Sequence, residues 1–202
     1  MKRCIDLIAS AFGLIVFSPV MLIIAVVVLL TDGRPILFCQ QRVGKDGLPF
    51  TLYKFRSMRT EQDASAPQIT QDGDSRITPI GRILRKTKLD ELPQLINVLF
   101  GKMSMVGPRP EVQRYVGQYD DQQKRVLRLV PGITDPASLK YFNEEDLLAS
   151  SENPEEFYVE SIMPDKIRIN LKYAQHANVI SDLGIILKTV ARVFSGRTDS
   201  AK

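Results

Sequence analysis

The hydrophobic positions are very unevenly distributed along the chain. Residues 7–30 are 24 consecutive positions without a charged side chain, whereas the rest of the chain carries nearly all of its Lys, Arg, Asp and Glu. A core helix of a soluble protein rarely needs apolar residues on every face, so a run of this length predicts a membrane segment. The pattern argues strongly against an ordinary soluble cytosolic enzyme.

Ser18 and Pro19 lie at the centre of this apolar run. A signal peptide is not expected, because the run is about twice as long as a signal-peptide core and residues 30–34 provide no small-residue cleavage site. Pro19 cannot donate a hydrogen bond to the carbonyl of Ile15, so a bend is expected there, and Ser18 can bond back to a freed carbonyl. Each half of the helix, about 18 Å long, is shorter than the roughly 30 Å hydrocarbon core. A spanning helix and a re-entrant helix–break–helix over residues 1–31 are both compatible with this pattern.

The chain after residue 32 alternates short apolar runs with turn residues and is predicted to be one domain, residues 32–202. Runs at 36–42 and 50–55 around an Asp-Gly turn predict a β-hairpin, and Thr78 before Pro79 predicts a capped helix start. Helices are also predicted at 90–100, 111–129 and 143–153, and a basic amphipathic helix at 183–194 suits a membrane surface or a domain face. Residues 61–75 predict a loop, and 107–110 and 131–136 predict rigid turns. The predicted fold class is mixed α/β, mostly helical with a β-hairpin.

The composition narrows the class of chemistry. A net charge of +4 and a pI near 9.1 suit a protein that works beside anionic lipid or handles phosphates. Two cysteines do not make a disulfide scaffold, and a single His leaves little room for His-centred catalysis. The chain has no phosphate-binding loop, dinucleotide fingerprint, Cys-x-x-Cys pair or His-Glu-x-x-His motif.

The acidic pair Asp90 and Glu91 is the strongest candidate for chemistry. Its simplest explanation is structural, because acids in a first helical turn complement the helix dipole. The functional alternative is that a helix N-terminus keeps Asp90 ionised, with a pKa at or below about 3.9, as a carboxylate nucleophile or a Mg²⁺ ligand requires. The basic residues are more numerous than a small fold needs and suit a pyrophosphate. They include Lys54, Arg56, Arg76, Arg82, Arg85, Lys88 and the proline-flanked Arg109.

An ordered series of motifs identifies a family resemblance. The motifs are Lys-Arg-x-x-Asp at 2–6, Ser-Pro at 18–19, Gln-Arg-Val-Gly at 41–44, Tyr-Lys-Phe-Arg-Ser-Met at 53–58, Arg-Ile-Thr at 76–78, Gly-Arg-Ile-Leu-Arg at 81–85, Leu-Asp-Glu-Leu-Pro-Gln at 89–94, Gly-Pro-Arg-Pro at 107–110 and Pro-Gly-Ile-Thr at 131–134. Over about residues 1–136 the chain resembles the bacterial sugar transferases known as small monotopic phosphoglycosyl transferases. It departs from the usual family pattern at Val130, where an Arg is usual, and at residues 135–138.

The resemblance implies transfer of a sugar 1-phosphate from a UDP-sugar to polyprenyl (undecaprenyl) phosphate, dependent on Mg²⁺, in the assembly of a bacterial glycan. It also implies a re-entrant anchor in membrane lipid, with the catalytic domain on the cytoplasmic face of the bacterial inner membrane. In the leading hypothesis Asp90 forms a covalent aspartyl-phosphosugar intermediate and UMP leaves, while Glu91 is a second metal contact or a base. Asp90 and Glu91 are therefore the expected catalytic residues and metal ligands. The expected substrate-binding residues are Lys54, Arg56, Arg76, Arg82, Gln94 and Arg109.

Two other functions share part of this pattern. A membrane-anchored hydrolase of UDP-sugars would use the same acids and cations, with water in place of the lipid acceptor. A non-enzymatic membrane-tethered adaptor would use its basic surface to bind lipid head groups or nucleic acid, and it would give Arg109 and the pair Asp90 and Glu91 no role. The sequence leaves the sugar and the oligomeric state open, a homodimer included, and nucleic acid is not an expected partner.

Overall fold

The structure is a computed structural model that describes residues 2–59 and 73–195. The α-helices are α1 (Lys2–Asp32), α2 (Pro79–Lys86), α3 (Gln94–Leu99), α4 (Gln113–Val116), α5 (Pro136–Lys140), α6 (Glu144–Ala149), α7 (Pro154–Phe157), α8 (Met163–Ala174) and α9 (Val179–Ser195), with a π-helical turn at Tyr158–Ile162. The strands are β1 (Leu37–Val43), β2 (Pro49–Phe55), β3 (Ser104–Val106) and β4 (Gly132–Thr134). The described chain is mostly helical with small sheets, as the hydrophobic pattern predicts.

Helix α1 is long and apolar enough to cross a membrane, judged by its length and composition. It stays α-helical through Pro19. The hydroxyl of Ser18 donates to the carbonyl of Ile15 at 2.8 Å, which is the carbonyl that Pro19 leaves without its helical donor. The predicted back-bond of Ser18 is therefore confirmed, whereas the secondary structure has no interruption at this point. Residues 15–20 are exposed on every face of the helix.

Both ends of α1 are attached to the globular part of the protein. At the N-terminal end, Arg3 donates to the last two carbonyls of α3 at 2.6 and 2.8 Å, and Asp6 accepts from the backbone of β3 at 3.0 Å. At the C-terminal end, Asp32 accepts from Thr78 at 2.9 Å, and the guanidinium of Arg56 donates to carbonyls at the end of the helix. Polar contacts therefore fix both ends of an apolar helix to one domain.

The predicted hairpin is formed by β1 and β2, which pair antiparallel from Leu37 opposite Phe55 to Val43 opposite Pro49. A 3₁₀ turn at Lys45–Gly47 joins them. Phe50 and Leu52 of the hairpin pack in a core with partners from the region of α3 and β3. The hairpin thus carries Lys54, in its last strand, into the interior of the domain.

The predicted helix over 111–129 is wrong. The helical structure there consists of α4 and a 3₁₀ turn at Gln123–Arg128. The side chains of Asp120 and Gln123 each accept a hydrogen bond from the other's backbone N–H, as in a capping box, so a new helical turn begins at this point. The turn predicted at 131–136 contains β4, which pairs parallel with β3, and α5 begins at Pro136. Thr78 caps α2 as predicted, and helical structure occurs within 143–153 as α6. Residues 60–72, most of the predicted loop, lie outside the described residues.

Gly107 and Gly132 bring the two short strands together beside the loop at 107–110. A Cβ on Gly132 would lie 2.1 Å from the backbone nitrogen of Gly107, a distance at which something must shift. The nitrogen of Gly132 donates to the carbonyl of Pro108 at 3.0 Å, so the loop is held by backbone contacts. These contacts fix the backbone position of Arg109, which lies in this loop.

Candidate active site

Asp90 and Glu91 lie in a 3₁₀ turn, Leu89–Glu91, and both residues are buried. The predicted helix from residue 90 begins only at Gln94. Pro93 has no N–H to donate to the carbonyl of Leu89, and the N–H of Leu92 bonds to that carbonyl instead, as in a 3₁₀ helix. The acidic pair therefore precedes a six-residue helix, and the expected effect of a helix dipole on Asp90 has little structural basis.

Glu91 is the centre of an ion-pair cluster with Lys54 and Arg109. Its Oε1 lies 2.9 Å from the Nζ of Lys54 and 2.7 Å from the Nη2 of Arg109, whose Nη1 lies 3.4 Å from Oε2. Burial by itself raises the pKa of Glu91, but the charges of Arg109 and Lys54 outweigh it and hold that pKa well below its usual range. The charge of Glu91 in turn raises the pKa of Arg109. Glu91 is an anion that holds two cations in place.

Asp90 has a different environment. Its Oδ1 is buried without a hydrogen-bond partner among the residues that the structure describes. Burial raises the pKa of Asp90, against the lowering effect of the charge on Lys54. The expected pKa at or below that of a free Asp side chain is therefore wrong, because desolvation outweighs the nearby cations. A buried oxygen with no partner is costly unless a ligand or cation satisfies it.

Three of the six predicted substrate-binding residues lie close to the acidic pair in space or in the chain. Lys54 and Arg109 contact Glu91 directly. Gln94 is the first residue of α3, is buried, and its Nε2 has no hydrogen-bond partner in the described part of the chain. The Oδ1 of Asp90 and the Nε2 of Gln94 are thus both buried polar atoms without a hydrogen-bond partner among the described residues.

The other three occupy different positions. Arg56 is buried and donates to carbonyls at the end of α1, so its charge serves the attachment of that helix. Arg76 forms a 2.6 Å ion pair with Asp74. Arg82 lies exposed on α2. The described contacts of Arg56 and Arg76 lead away from the acidic pair, and the role of all three residues in substrate binding stays a prediction.

The donor set fits a Mg²⁺ ion that is held mainly by its substrate. Within residues 2–59 and 73–195 no group of three or more His, Cys, Asp or Glu could hold a metal. Glu91 does not fit as a ligand, since its oxygens are engaged by Arg109 and Lys54. The Oδ1 of Asp90 does fit, because it has no hydrogen-bond partner among the residues that the structure describes. Mg²⁺ is commonly bound by one or two carboxylates together with substrate phosphates. Asp90 could supply that carboxylate.

Comparison of the sequence with known proteins shows which family the chain belongs to. The profile described as "Bacterial sugar transferase" matches residues 1–196. The chain belongs to the bacterial sugar transferase family. The UDP-glucose:undecaprenyl-phosphate glucose-1-phosphate transferase of Klebsiella pneumoniae is 40% identical over 98% of this chain and 41% of the relative. The enzyme of the same name from Caulobacter vibrioides is 35% identical over 99% of this chain and 71% of the relative.

A third relative differs in the sugar that it is named for. The UDP-N-acetylgalactosamine-undecaprenyl-phosphate N-acetylgalactosaminephosphotransferase of Aeromonas hydrophila is 34% identical over 96% of this chain and 44% of the relative. The chain thus spans less than half the length of the Aeromonas and Klebsiella relatives. Similar sugar transferases are therefore named for different sugars.

Proposed function

We propose that the protein transfers a sugar 1-phosphate from a UDP-sugar to polyprenyl phosphate through a covalent intermediate on Asp90. The observation that carries the proposal is a buried carboxylate oxygen of Asp90 that has no hydrogen-bond partner in the described part of the chain. Asp90 directly precedes Glu91, which binds two cations. The names of the relatives from Klebsiella, Caulobacter and Aeromonas support a UDP-sugar donor and an undecaprenyl phosphate acceptor.

The proposed reaction has two displacements at phosphorus. In the first, a carboxylate oxygen of Asp90 attacks the β-phosphorus of the UDP-sugar, and the bond from that phosphorus to the bridging oxygen breaks, so that UMP leaves with the electron pair. In the second, a phosphate oxygen of the polyprenyl acceptor attacks the same phosphorus, and the carboxylate of Asp90 is released. The product is a polyprenyl diphosphate sugar, and the enzyme returns to its starting state.

The cluster around Glu91 supplies positioned positive charge for this chemistry. Arg109 donates two of its five N–H groups to Glu91. The remaining N–H groups can bind the diphosphate of the UDP-sugar. The low pKa of Glu91 makes it a weak base, which supports a positioning role for Glu91 over the predicted roles of base and metal ligand. Mg²⁺ held by Asp90 and the substrate phosphates would neutralise charge on the leaving group.

The attachment of α1 supports a re-entrant anchor broken at Ser18 and Pro19. A straight 31-residue helix is about 46 Å long, and a helix that spans the roughly 30 Å hydrocarbon core has its ends on opposite sides of the membrane. Contacts from Arg3 and Asp32 to one domain support a topology in which both ends of the helix lie on the same side of the membrane. The exposed apolar residues at 15–20 are then the part that is immersed in lipid.

Helix α9 supports a second contact with the membrane surface. Its exposed apolar residues recur at helical spacing and form one stripe, Leu183, Leu187, Val190 and Phe194. Such a stripe on a helix that also carries basic residues is typical of an interfacial helix. Because UDP-sugars are made in the cytoplasm, the domain is proposed to lie on the cytoplasmic face of the bacterial inner membrane.

A release assay tests the proposed reaction against its rivals. Purified protein with Mg²⁺ is incubated with a panel of UDP-sugars, with and without polyprenyl phosphate, and UMP is measured. Catalytic UMP release that requires the lipid supports the proposal and identifies the sugar. Release that is indifferent to the lipid identifies a UDP-sugar hydrolase. No release with any donor, together with lipid binding that weakens steeply in salt, supports the adaptor.

A further inference from the structure

The prolines on either side of Arg109 both have their carbonyl oxygens held by hydrogen bonds. The N–H of Gly132 donates to the carbonyl of Pro108 at 3.0 Å, and the Nη1 of Arg42 donates to the carbonyl of Pro110 at 3.1 Å. A residue that precedes proline has a restricted backbone, so few conformations remain for Arg109 once both carbonyls are held. The direction in which its side chain leaves the loop therefore depends on Gly132 on one side and on Arg42 on the other.

Arg42, in β1, is itself held by several neighbours. Its Nε and Nη2 donate to the side-chain oxygen of Gln40 at 3.0 and 2.7 Å, and its Nη1 lies 3.7 Å from the Oε2 of Glu111. The hydroxyl of Tyr158 donates to the other carboxylate oxygen of Glu111. The side chain of Arg42 is only 20% exposed. Arg42 thus donates to Pro110 from a well-fixed position.

The charge of Arg42 also acts on Arg109. Burial lowers the pKa of Arg42, the charge of Glu111 opposes this effect, and the charge of Arg109 lowers the pKa further. The last effect is repulsion between two guanidinium groups. It favours the observed arrangement, in which Arg109 donates to Glu91 at 2.7 Å.

The β-hairpin therefore influences both cations that bind Glu91. Lys54, in β2, reaches Glu91 directly at 2.9 Å. Arg42, in β1, contacts the loop that carries Arg109. The two strands are paired along their length, so one rigid element sets the positions of a direct and an indirect contact to the same cluster.

We propose that Arg42 is a positioning residue for Arg109, which it directs toward Glu91 and the donor diphosphate by holding the carbonyl of Pro110. Arg42 is not assigned a contact with the substrate, and its effect on the reaction passes through Arg109. This inference rests on the proposed function and deepens it, because it adds a residue on which the geometry of the donor site depends.

A double-mutant cycle separates this role from the alternatives, since it measures whether two residues act through each other. Arg42→Met, Arg109→Met and the double variant are compared with wild type. The matched control is Arg114→Met, because Arg114 also binds a glutamate, Glu155, but makes no hydrogen bond to residues 107–110 in the described part of the chain. Gln40→Leu keeps Arg42 and removes the oxygen that holds two of its N–H groups.

The main measurement is the rate of UMP release in a single turnover without acceptor, at saturating UDP-sugar. Arg109→Met is expected to lower this rate about hundredfold. Arg42→Met should lower it about tenfold in the wild-type background, because a small misplacement of a binding group is costly. In the Arg109→Met background the same change should have an effect of less than about twofold.

Two further readouts test the route of the effect. Gln40→Leu should lower the rate of UMP release about threefold, since Arg42 stays but is less well fixed, and Arg114→Met should stay within about twofold of wild type. The KM for polyprenyl phosphate should change by less than about twofold in Arg42→Met, because the proposal concerns the donor. Circular dichroism in detergent establishes that each variant is folded before its rate is compared.

Two results would overturn the inference. An unchanged rate in Arg42→Met means that the hydrogen bond to Pro110 does not position Arg109. A tenfold fall that persists in the Arg109→Met background means that Arg42 acts independently of Arg109. If Arg42→Met does not fold, the cycle is run with Gln40→Leu, and an unchanged rate or an equal fall in both backgrounds overturns the inference in the same way. Wild-type protein that releases no UMP from any donor contradicts the proposed function instead.

Discussion

Replacement of Glu91 by Gln tests the central ion-pair cluster. The substitution keeps the shape of the side chain but leaves Lys54 and Arg109 facing a neutral amide at the former positions of the carboxylate. The side chains of Lys54 and Glu91 are only 17% and 10% exposed, so water compensates the stranded charges poorly. Folding stability should therefore fall far more than for a surface ion pair.

The size of the effect follows from burial. Removing one partner of a buried ion pair costs about 3–5 kcal/mol, and the lower end applies because the side chain of Arg109 is 36% exposed. For a protein near 200 residues, each kcal/mol lowers the melting temperature by about 2–4 °C, so a fall of roughly 6–12 °C is expected. Adding Lys54→Met to Glu91→Gln removes one stranded cation and should recover part of that loss.

Thermal unfolding in detergent is followed by the loss of helix content in circular dichroism. Tryptophan fluorescence cannot be used, because the chain has no Trp. Asp121→Asn is the control, because it breaks an exposed pair with Lys124 and should change the melting temperature by no more than about 2 °C. A Glu91→Gln variant that melts within this range would refute the reasoning. So would a double variant with Lys54→Met that melts below Glu91→Gln alone.

Further outcomes are expected for Gly132, Asp90 and the membrane helix. In Gly132→Ala the new Cβ would lie 2.1 Å from the nitrogen of Gly107 and should displace the loop at 107–110, which carries Arg109. The rate of UMP release should therefore fall at least tenfold, while the protein still folds. Activity should fall on acidification with a midpoint above the ordinary value of about 3.9, because burial raises the pKa of Asp90 and only its anion attacks phosphorus. Because the pKa of Asp90 is higher in the folded state than in the unfolded state, the ionised carboxylate destabilises the fold at neutral pH. Asp90→Asn removes this charge and should therefore raise the melting temperature at neutral pH. Cys4 in intact cells should resist an impermeant maleimide, and Pro19→Ala should make it reactive from outside by restoring one straight helix.

Each of these has a contrary result. Wild-type UMP release by Gly132→Ala would show that the close approach of the two strands does not position the loop. An acid midpoint at or below 3.9, or a lower melting temperature for Asp90→Asn, would contradict the dominance of burial at that carboxylate. Labelling of wild-type Cys4 from outside would show a spanning helix, and the catalytic assignment would be unaffected by it.

Local signals predicted the elements that depend on neighbouring residues. The hairpin follows from two short apolar runs around Asp46 and Gly47, and the start of α2 follows from Thr78 and Pro79. The Ser18 back-bond follows from the position of Pro19. The Ser18 and Thr78 hydrogen bonds each join residues three apart, and a short turn joins the two hairpin strands, so capping preferences and local patterns contain the necessary information.

Contacts between distant residues could not be predicted in this way. Strands β3 and β4 are three residues each, too short to show a period, and their pairing depends on the approach of Gly107 to Gly132. Arg56 looks like any other cation in a basic motif, and only the position of the end of α1 makes it a structural residue. The raised pKa of Asp90 arises from burial by the whole fold, which no helix-dipole argument from the sequence includes.

Formation of a covalent adduct on Asp90 is the most direct test of the central claim. The protein is incubated without acceptor with a UDP-sugar labelled in the β-phosphate, quenched, and digested for mass spectrometry. The account predicts an acid-labile phosphosugar adduct on the peptide containing Asp90, released on addition of polyprenyl phosphate and absent from Asp90→Asn. An adduct that persists in Asp90→Asn, or UMP release by that variant at the wild-type rate, would contradict it.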